Sequence, residues 1–460
     1  MNYFIEGIQG AGKSTLTGRL AERLPGYRVF REGDQNPVEL AWCAYMTKEQ
    51  YDAVLTKYAP VADEIKANTV VEPEYIRNKT GISEYGSNGS DECRYVLTYT
   101  RIITDIPGFH KDLEQYEIYN GRVSREDFEK IILSRYADWK GEDQIFECSI
   151  FQNIVESQIL YYEMTDEEIL DFYRKLKEVL GEKEYRILYL EVDDIAESIN
   201  IIRRERVDSD GNEMWYPLML EYLEECPWSK KNDIKGFDGL VSHLEHRKAL
   251  ELRILKEVFP EHAVILKSKS YDLSVELVSA EQWAGVFNET HPGFFDRDYV
   301  KRVADDEPAS EMFMGLENID ACSYEKSLPA DITFGYYEGD TEELKAAVEK
   351  VIPHWVPLFT ENSRVYCGFA DGKIASFCMI ENFGEHMIGG RICRIGGPGC
   401  VGPVPEYRNR GIGLTMVRNV TRILREEEFD YSYIHYTYET AWYGKLGYRT
   451  VLRWNGKGFV

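Results

Sequence analysis

The chain has no run of about 18 apolar residues, so no membrane-spanning helix is expected. It has no Cys-x-x-Cys pair. Its nine cysteines are scattered and odd in number, which points to reduced thiols rather than a disulfide or zinc framework. The first residues lead into an apolar stretch and carry Glu6, with no basic region or small-residue cleavage site. A secretory signal is therefore not expected, and a cytoplasmic location is. Basic charge is scarce. Lys and Arg number 54 against 80 Asp and Glu, a net charge of −26. Residues 331–460 hold 16 of the acids and 15 of the bases. That leaves 64 acids and 39 bases in residues 1–330, or −25 against −1. So acidic a body argues against a nucleic-acid polymer as partner and favours small-molecule substrates. Nothing in the sequence fixes an oligomeric state.

The chain does have two stretches that carry chemistry. The first is Gly7-Ile8-Gln9-Gly10-Ala11-Gly12-Lys13-Ser14, followed by Thr15, a complete G-x-x-x-x-G-K-[ST] pattern. Glycines let the loop backbone turn its N–H groups toward a phosphate chain, Lys13 reaches the outer phosphates, and Ser14 offers a hydroxyl to Mg²⁺. The context agrees. Tyr3, Phe4 and Ile5 precede the loop as a buried strand would. Leu16, Leu20 and Leu24 follow at helical spacing until Pro25-Gly26. No Asn-Lys-x-Asp motif accompanies it, so a GTPase is not expected.

Apolar runs at 27–30, 144–148, 186–192 and 263–266 alternate with helical stretches and, with the first strand, predict a parallel sheet with helices on both faces. Thr165 and Glu168 form a capping box for a helix that Gly181 stops. Ligands of such sheets bind at the carboxyl ends of strands, which selects the segments after Phe30, Phe146 and Val192.

These residues resemble the thymidylate kinases and deoxynucleoside kinases. Besides the loop, Arg31-Glu32 is similar to an Arg-Glu-Pro motif. Glu147-Cys148-Ser149 is similar to a Glu/Asp-Arg-Ser motif, and Arg203-Arg204-Glu205-Arg206 to an arginine-rich lid. The resemblance covers residues 1–275 and implies ATP and Mg²⁺ as cofactors. Gly7, Gly10, Ala11, Gly12, Lys13, Ser14 and Thr15 would hold the nucleotide, and Arg203, Arg204 and Arg206 would close over it. Ser14 and Glu147 would serve the metal. Glu32 would be the carboxylate near an acceptor hydroxyl, with Asp34 as second choice. Gln9, Gly33 and Cys148 depart from the family pattern, so a non-catalytic nucleotide sensor or scaffold stays open beside a phosphotransferase. An insert at 61–121 fits no pattern of the family and is a candidate substrate lid.

Regularity falls at 276–330, read as a linker with a helix around 283–287 packed on the first domain. A new unit follows: a strand at 332–337, a helix at 341–351 capped by Thr341, and a hairpin around Asp371-Gly372. Then comes Val404-Pro405-Glu406-Tyr407-Arg408-Asn409-Arg410-Gly411-Ile412-Gly413. It opens a helix with Ile412, Met416, Val420 and Ile423 on one face, so free N–H groups and the helix dipole face an anion.

Arg408, Gly411 and Gly413 fit the Arg/Gln-x-x-Gly-x-Gly/Ala signature. Tyr443-Gly444-Lys445-Leu446-Gly447-Tyr448 is similar to a closing Tyr-x-Lys-Leu-Gly-Phe. In both, residues 331–460 resemble the GNAT-type N-acetyltransferases, a mixed α/β fold. The resemblance implies acetyl-CoA as cofactor. Arg408, Asn409, Arg410, Gly411, Ile412 and Gly413 would lie at its pyrophosphate, and the strand ending near Val404 at the acetyl carbonyl. Tyr443 would be the general acid for the thiolate. Glu381 is a candidate base, with a water relay as the alternative. The whole reads as an acetyltransferase of a small amine fused to a kinase-like domain.

Overall fold

The computed structural model describes residues 1–73, 93–317 and 324–460. They form two compact units, Met1–Lys269 and Ser270–Val460.

In the first unit, β1 (Asn2–Glu6), β2 (Arg28–Phe30), β6 (Gln144–Glu147), β7 (Tyr185–Glu191) and β8 (Ala263–Lys267) form one sheet, in the order β2-β6-β1-β7-β8. All four pairings are parallel. Successive residues of a strand point to opposite faces, and Phe4, Ile5, Ile187, Leu188, Tyr189 and Leu190 are all fully buried. Both faces are therefore covered, as an all-parallel sheet requires. The helix Asp166–Leu180 starts with the Thr165–Glu168 capping box and ends at Gly181. The expected insert is more built than a loop. β3 (Ala44–Met46), β4 (Thr69–Pro73) and β5 (Cys93–Leu97) make an antiparallel sheet ordered β3-β5-β4. It has its own core of Met46, Tyr51, Leu97 and Phe109. It thus begins well before residue 61; the part of the insert at 74–92 lies outside the described residues.

The second unit holds an eight-stranded sheet of β9 (Ala309–Gly315), β10 (Ile332–Tyr336), β11 (Val365–Ala370), β12 (Lys373–Ile388), β13 (Arg391–Pro403), β14 (Tyr431–Thr437), β15 (Arg449–Asn455) and β16 (Gly458–Phe459). The order is β10-β11-β12-β13-β14-β9-β15-β16. The helix Ile412–Glu426 packs its buried Met416, Val417, Val420 and Leu424 with Ile434, Met312 and Met314. Leu424 is buried where Ile423 was expected.

The expectation of a linker over 276–330 is corrected. Its described part supplies β9, buried along its whole length between β14 and β15, and the helix Ala280–Thr290. That helix packs on the second unit's own sheet. Trp283 lies 4.3 Å from the Phe313 ring and meets Tyr431 edge-on, because its apolar stripe matches the aromatic face of β9 and β14. The helix Thr341–Glu349 is capped by Asp340, not Thr341, since the Asp340 carboxylate reaches the Glu342 N–H.

Candidate functional sites

In the first unit, residues 7–14 run from the end of β1 into the helix Lys13–Arg23. Gly12 stands at its N-cap with φ 93° and no side-chain cap. The first N–H groups of the helix are thus left for an outside acceptor. A Cβ at Gly10 would lie 2.6 Å from Ile202 and 2.7 Å from the Ser198 hydroxyl, so the loop presses on the helix Ile195–Glu205. Lys13 is buried, and its Nζ donates to the carbonyls of Gly7 (2.8 Å) and Ile8 (2.9 Å). The Ser14 hydroxyl donates to the Glu147 carboxylate, and Thr15 is exposed. Ala11 donates its N–H to the Ile8 carbonyl within the loop.

The strand-end residues gather as the topology predicts. Glu147 ends β6 beside β1, and Arg31 from the end of β2 stands 3.9 Å away. Glu32 is exposed and accepts from Gln152 at 2.7 Å, whereas Asp34 is paired with Arg101. Cys148, where the family pattern has arginine, is buried with φ 60°. The arginines of the expected lid have partners. Arg203 pairs with Glu213 at 2.9 Å and lies over the Tyr216 ring; Arg204 pairs with Glu197 at 2.7 Å. Arg206 is exposed near the Trp215 ring.

Gln9 has an unanticipated setting. Its amide reaches Glu156 (3.4 Å) and accepts from Arg247 (3.1 Å). Arg247 is wholly buried and bonds Glu156 and Glu251, both at 2.7 Å, while His243 closes on Glu156 at 2.6 Å. His243 and Arg247 hold the Glu156 carboxyl down to about 2 against the opposing effect of burial, which is the largest single contribution.

In the second unit, β13 and β14 pair in parallel at only two positions, Ile395↔Tyr431 and Gly396↔Ser432. Beyond them both strands continue, to Pro403 and Thr437, without pairing to each other. Where β13 shifts register against β12, Cys400 has φ 48°. The result is a notch in the middle of the sheet.

At one end of it, Asn409 (φ 62°) and Gly411 (φ 87°) curl the chain into the helix Ile412–Glu426, which has no side-chain cap. A turn of this kind gathers backbone N–H groups for an anion. Three cations stand around it. Arg408 is turned onto the Pro403 carbonyl (3.2 Å), Arg410 lies 3.8 Å from Asp331, and the Lys326 chain lies where a Cβ of Gly411 would be. Lys326 carries no motif and was not anticipated. A Cβ at Gly413 would lie 3.3 Å from Pro403 and 3.4 Å from Trp442. Val404 follows the end of β13 at Pro403. Its N–H donates to Ala375 and its carbonyl accepts from Tyr407, so its backbone groups are engaged and its side chain is in the core.

Tyr443, on the helix Thr440–Gly444, is buried among Tyr448, Ile434 and Cys378. Its hydroxyl makes no hydrogen bond among the described residues, and burial pushes its pKa well up. Glu381, on β12, lies against β13: a Cβ at Gly399 would fall 1.7 Å from its carboxylate oxygen. Burial raises the Glu381 carboxyl, opposed by His435. Cys400 is half-buried and its thiol is pushed up to about 12 by burial, then by Glu381.

Residues 333–451 match the model of the acetyltransferase (GNAT) domain. Solved structures are similar to about a third of the chain. One is a GCN5-related glucosamine N-acetyltransferase region of a fungal multi-domain GH3 β-N-acetylglucosaminidase (20% identity, TM-score 0.27, 34% of this chain and 20% of that one). Others are GCN5-related N-acetyltransferases from Kribbella flavida (14%, 0.23, 32% and 55%) and Sphaerobacter thermophilus (17%, 0.24, 31% and 48%). The chain thus spans less than two thirds of each. No curated protein matches the chain. Within the Ser270–Val460 unit, the chain carries a C-terminal acetyltransferase domain of the GNAT family.

Proposed function

We propose that the protein is a bifunctional cytoplasmic enzyme: an acetyl-CoA-dependent N-acetyltransferase of a small amine, fused to a kinase-like unit that binds ATP·Mg²⁺. The observation that carries the first part is the notch between β13 and β14, together with an uncapped helix start flanked by three cations and a buried Tyr443 in the same cluster as Ile434 of β14. Residues 408–413 and Lys326 suit a pyrophosphate. Acetyl-CoA would supply an acetyl thioester there. Tyr443 is suited to protonate the leaving sulfur, because a phenol and a thiol have similar basicities. With the Cys400 thiol held protonated, direct transfer to the amine is favoured over an acetyl-cysteine route. The acidic Glu381 in the notch favours a cationic acceptor.

Gly411→Asp is expected to abolish CoA binding by steric clash and like charge at the pyrophosphate. Tyr443→Phe should keep CoA affinity and lower the single-turnover rate by ~10²–10³-fold. Calorimetry and rapid quench read the two separately. Wild-type turnover in Tyr443→Phe would leave Tyr443 a core residue only.

For the first unit, the uncapped loop, buried Lys13 and the Ser14–Glu147 pair support ATP·Mg²⁺ binding. Lys13→Ala should weaken ATP binding by about 2–4 kcal/mol. Equal affinity in calorimetry would count against the nucleotide site. A second reading, a nucleotide sensor without turnover, is favoured by buried Cys148 and by the acid-paired Arg203 and Arg204. The two part on whether Glu32→Gln changes acceptor-dependent ATP turnover.

A further inference from the structure

Two strands of the second unit, β14 and β15, aim donors at one carboxylate on a third, β9. Glu311 on β9 is fully buried. It accepts from the Tyr433 hydroxyl (2.6 Å), His435 Nδ1 (3.0 Å) and the Trp454 indole (2.5 Å), and lies 3.3 Å from the Tyr436 N–H. Among these groups, His435 is within electrostatic reach of Glu381 on β12. It lies on β14 past the last residue paired with β13, with its side chain 23% exposed. Because Nδ1 donates to Glu311, the lone pair of the neutral ring is on Nε2, which makes no hydrogen bond among the described residues.

We propose that His435 is the proton acceptor of the acetyl transfer and that Glu311 is its positioning residue, on the reading that this unit acetylates an amine. His435 Nε2 takes one proton from the acceptor ammonium. The freed nitrogen lone pair forms the C–N bond to the acetyl carbon, and the C–S bond breaks. Tyr443 gives its hydroxyl proton to the sulfur. The second proton, lost from the new amide nitrogen, restores the Tyr443 hydroxyl, and His435 returns its own to solvent.

Two nearby groups compete for the role, and the geometry separates them. His291 stacks on His435 with ring centroids 3.9 Å apart. Burial, then His435 and Arg297, push it down to about 3, and its Nδ1 is engaged with Thr290. It stays neutral and is a poor base. Glu381 feels the charge of His435 from β12 and lacks a fixed partner, which suits it to hold the cationic acceptor. The titratable groups around the His435 ring are therefore Glu311 on β9, Tyr433 and Tyr436 on β14, His291 before β9, and Glu381 on β12, while Arg297 acts on His291 and Trp454 on Glu311.

The test uses the full chain, acetyl-CoA, and spermidine, lysine and kanamycin as acceptors. His435→Gln should lower kcat/KM by ~10²-fold or more near neutral pH without changing CoA affinity. The acidic limb of the pH profile should vanish, and the loss should shrink at high pH, where the amine deprotonates unaided. Added imidazole should restore part of the rate in His435→Ala. Glu311→Gln should move the acidic limb while leaving KM for acetyl-CoA in place. Nitrogen-15 spectra of the CoA-bound protein should show the neutral His435 ring with its proton on Nδ1, with or without an acceptor. A ring held in the other tautomer overturns the proposal. So does an unaltered profile in His435→Gln together with a lost acidic limb in Glu381→Gln. If the wild type binds no acetyl-CoA, the acetyltransferase reading itself fails. If it binds and His435→Gln turns over normally, only the assignment of the base does.

Discussion

Glu6 ends β1 beneath the glycine loop, wholly out of water. One of its oxygens accepts the Ile150 N–H at 2.8 Å and the other has no partner. Burial is the largest effect on it and raises its pKa from 4.5 to about 7, against the Ile150 hydrogen bond and the charges of Lys13 and Arg247. The folded chain therefore keeps a proton that the unfolded chain releases. This contribution to stability is complete below about pH 4.5, falls as pH rises through 7, and is constant above. Glu6→Gln cannot titrate. Its stability relative to wild type should improve by about 2–3 kcal/mol between pH 5 and pH 8, the worth of a shift of this size. Chemical denaturation at the two pH values checks it; a pH-independent difference would mean that the carboxyl is ionised throughout. Gln9, one turn of the loop away, shows why residue identity alone says little here. An uncharged amide at this position makes sense only beside Arg247, which sits 238 positions later and already has two carboxylates.

At the scale of the element, β13 is the instructive strand. Gly396-Gly397-Pro398-Gly399 is made of residues that weaken strands, and Pro398 has no N–H to give. It is a central strand nonetheless, because its neighbours leave no room for side chains. A Cβ at Gly397 would meet the Tyr433 carbonyl at 2.0 Å, and one at Gly399 would meet the Glu381 carboxylate. The two differ in what must yield. Gly397→Ala pushes on backbone and should cost about 1–3 kcal/mol of stability. Gly399→Ala displaces only the end of a flexible side chain. It should unfold close to the wild-type temperature while raising KM for a cationic acceptor. Thermal denaturation and acceptor titration would tell them apart; equal destabilisation would mean that Glu381 cannot move. The same comparison explains what was legible. β1, β6 and β7 are continuous apolar runs, and the 408–413 turn and Tyr443 lie in contiguous motifs, so local pattern sufficed. Glu311 and His435 are 124 residues apart, and Lys326 belongs to no pattern. Glu311 and His435 meet only once β9 and β14 have paired.

At the scale of the molecule, the second unit begins at Ser270, some sixty residues before the matched domain. Residues 270–460 alone should unfold cooperatively and bind CoA. Residues 331–460 lack β9 and the Trp283 helix, and so lose Glu311, Met312, Phe313 and Met314 from the middle of the sheet. This shorter piece should be insoluble or bind hydrophobic dyes. Expression of both checks it, and a well-folded 331–460 would make β9 dispensable. The position of β9 also sets an order of events at the ribosome. The strand is made early, yet Gly315 pairs with Tyr431, and the strand on its other side, β15, follows later still. At usual synthesis rates, an apolar strand with two open edges waits on the order of ten seconds for its neighbours. Pairing across so long a stretch of chain is slow to nucleate and exposed to aggregation meanwhile. Yield in the cell should therefore depend on chaperone supply and temperature more than on the stability of the finished fold.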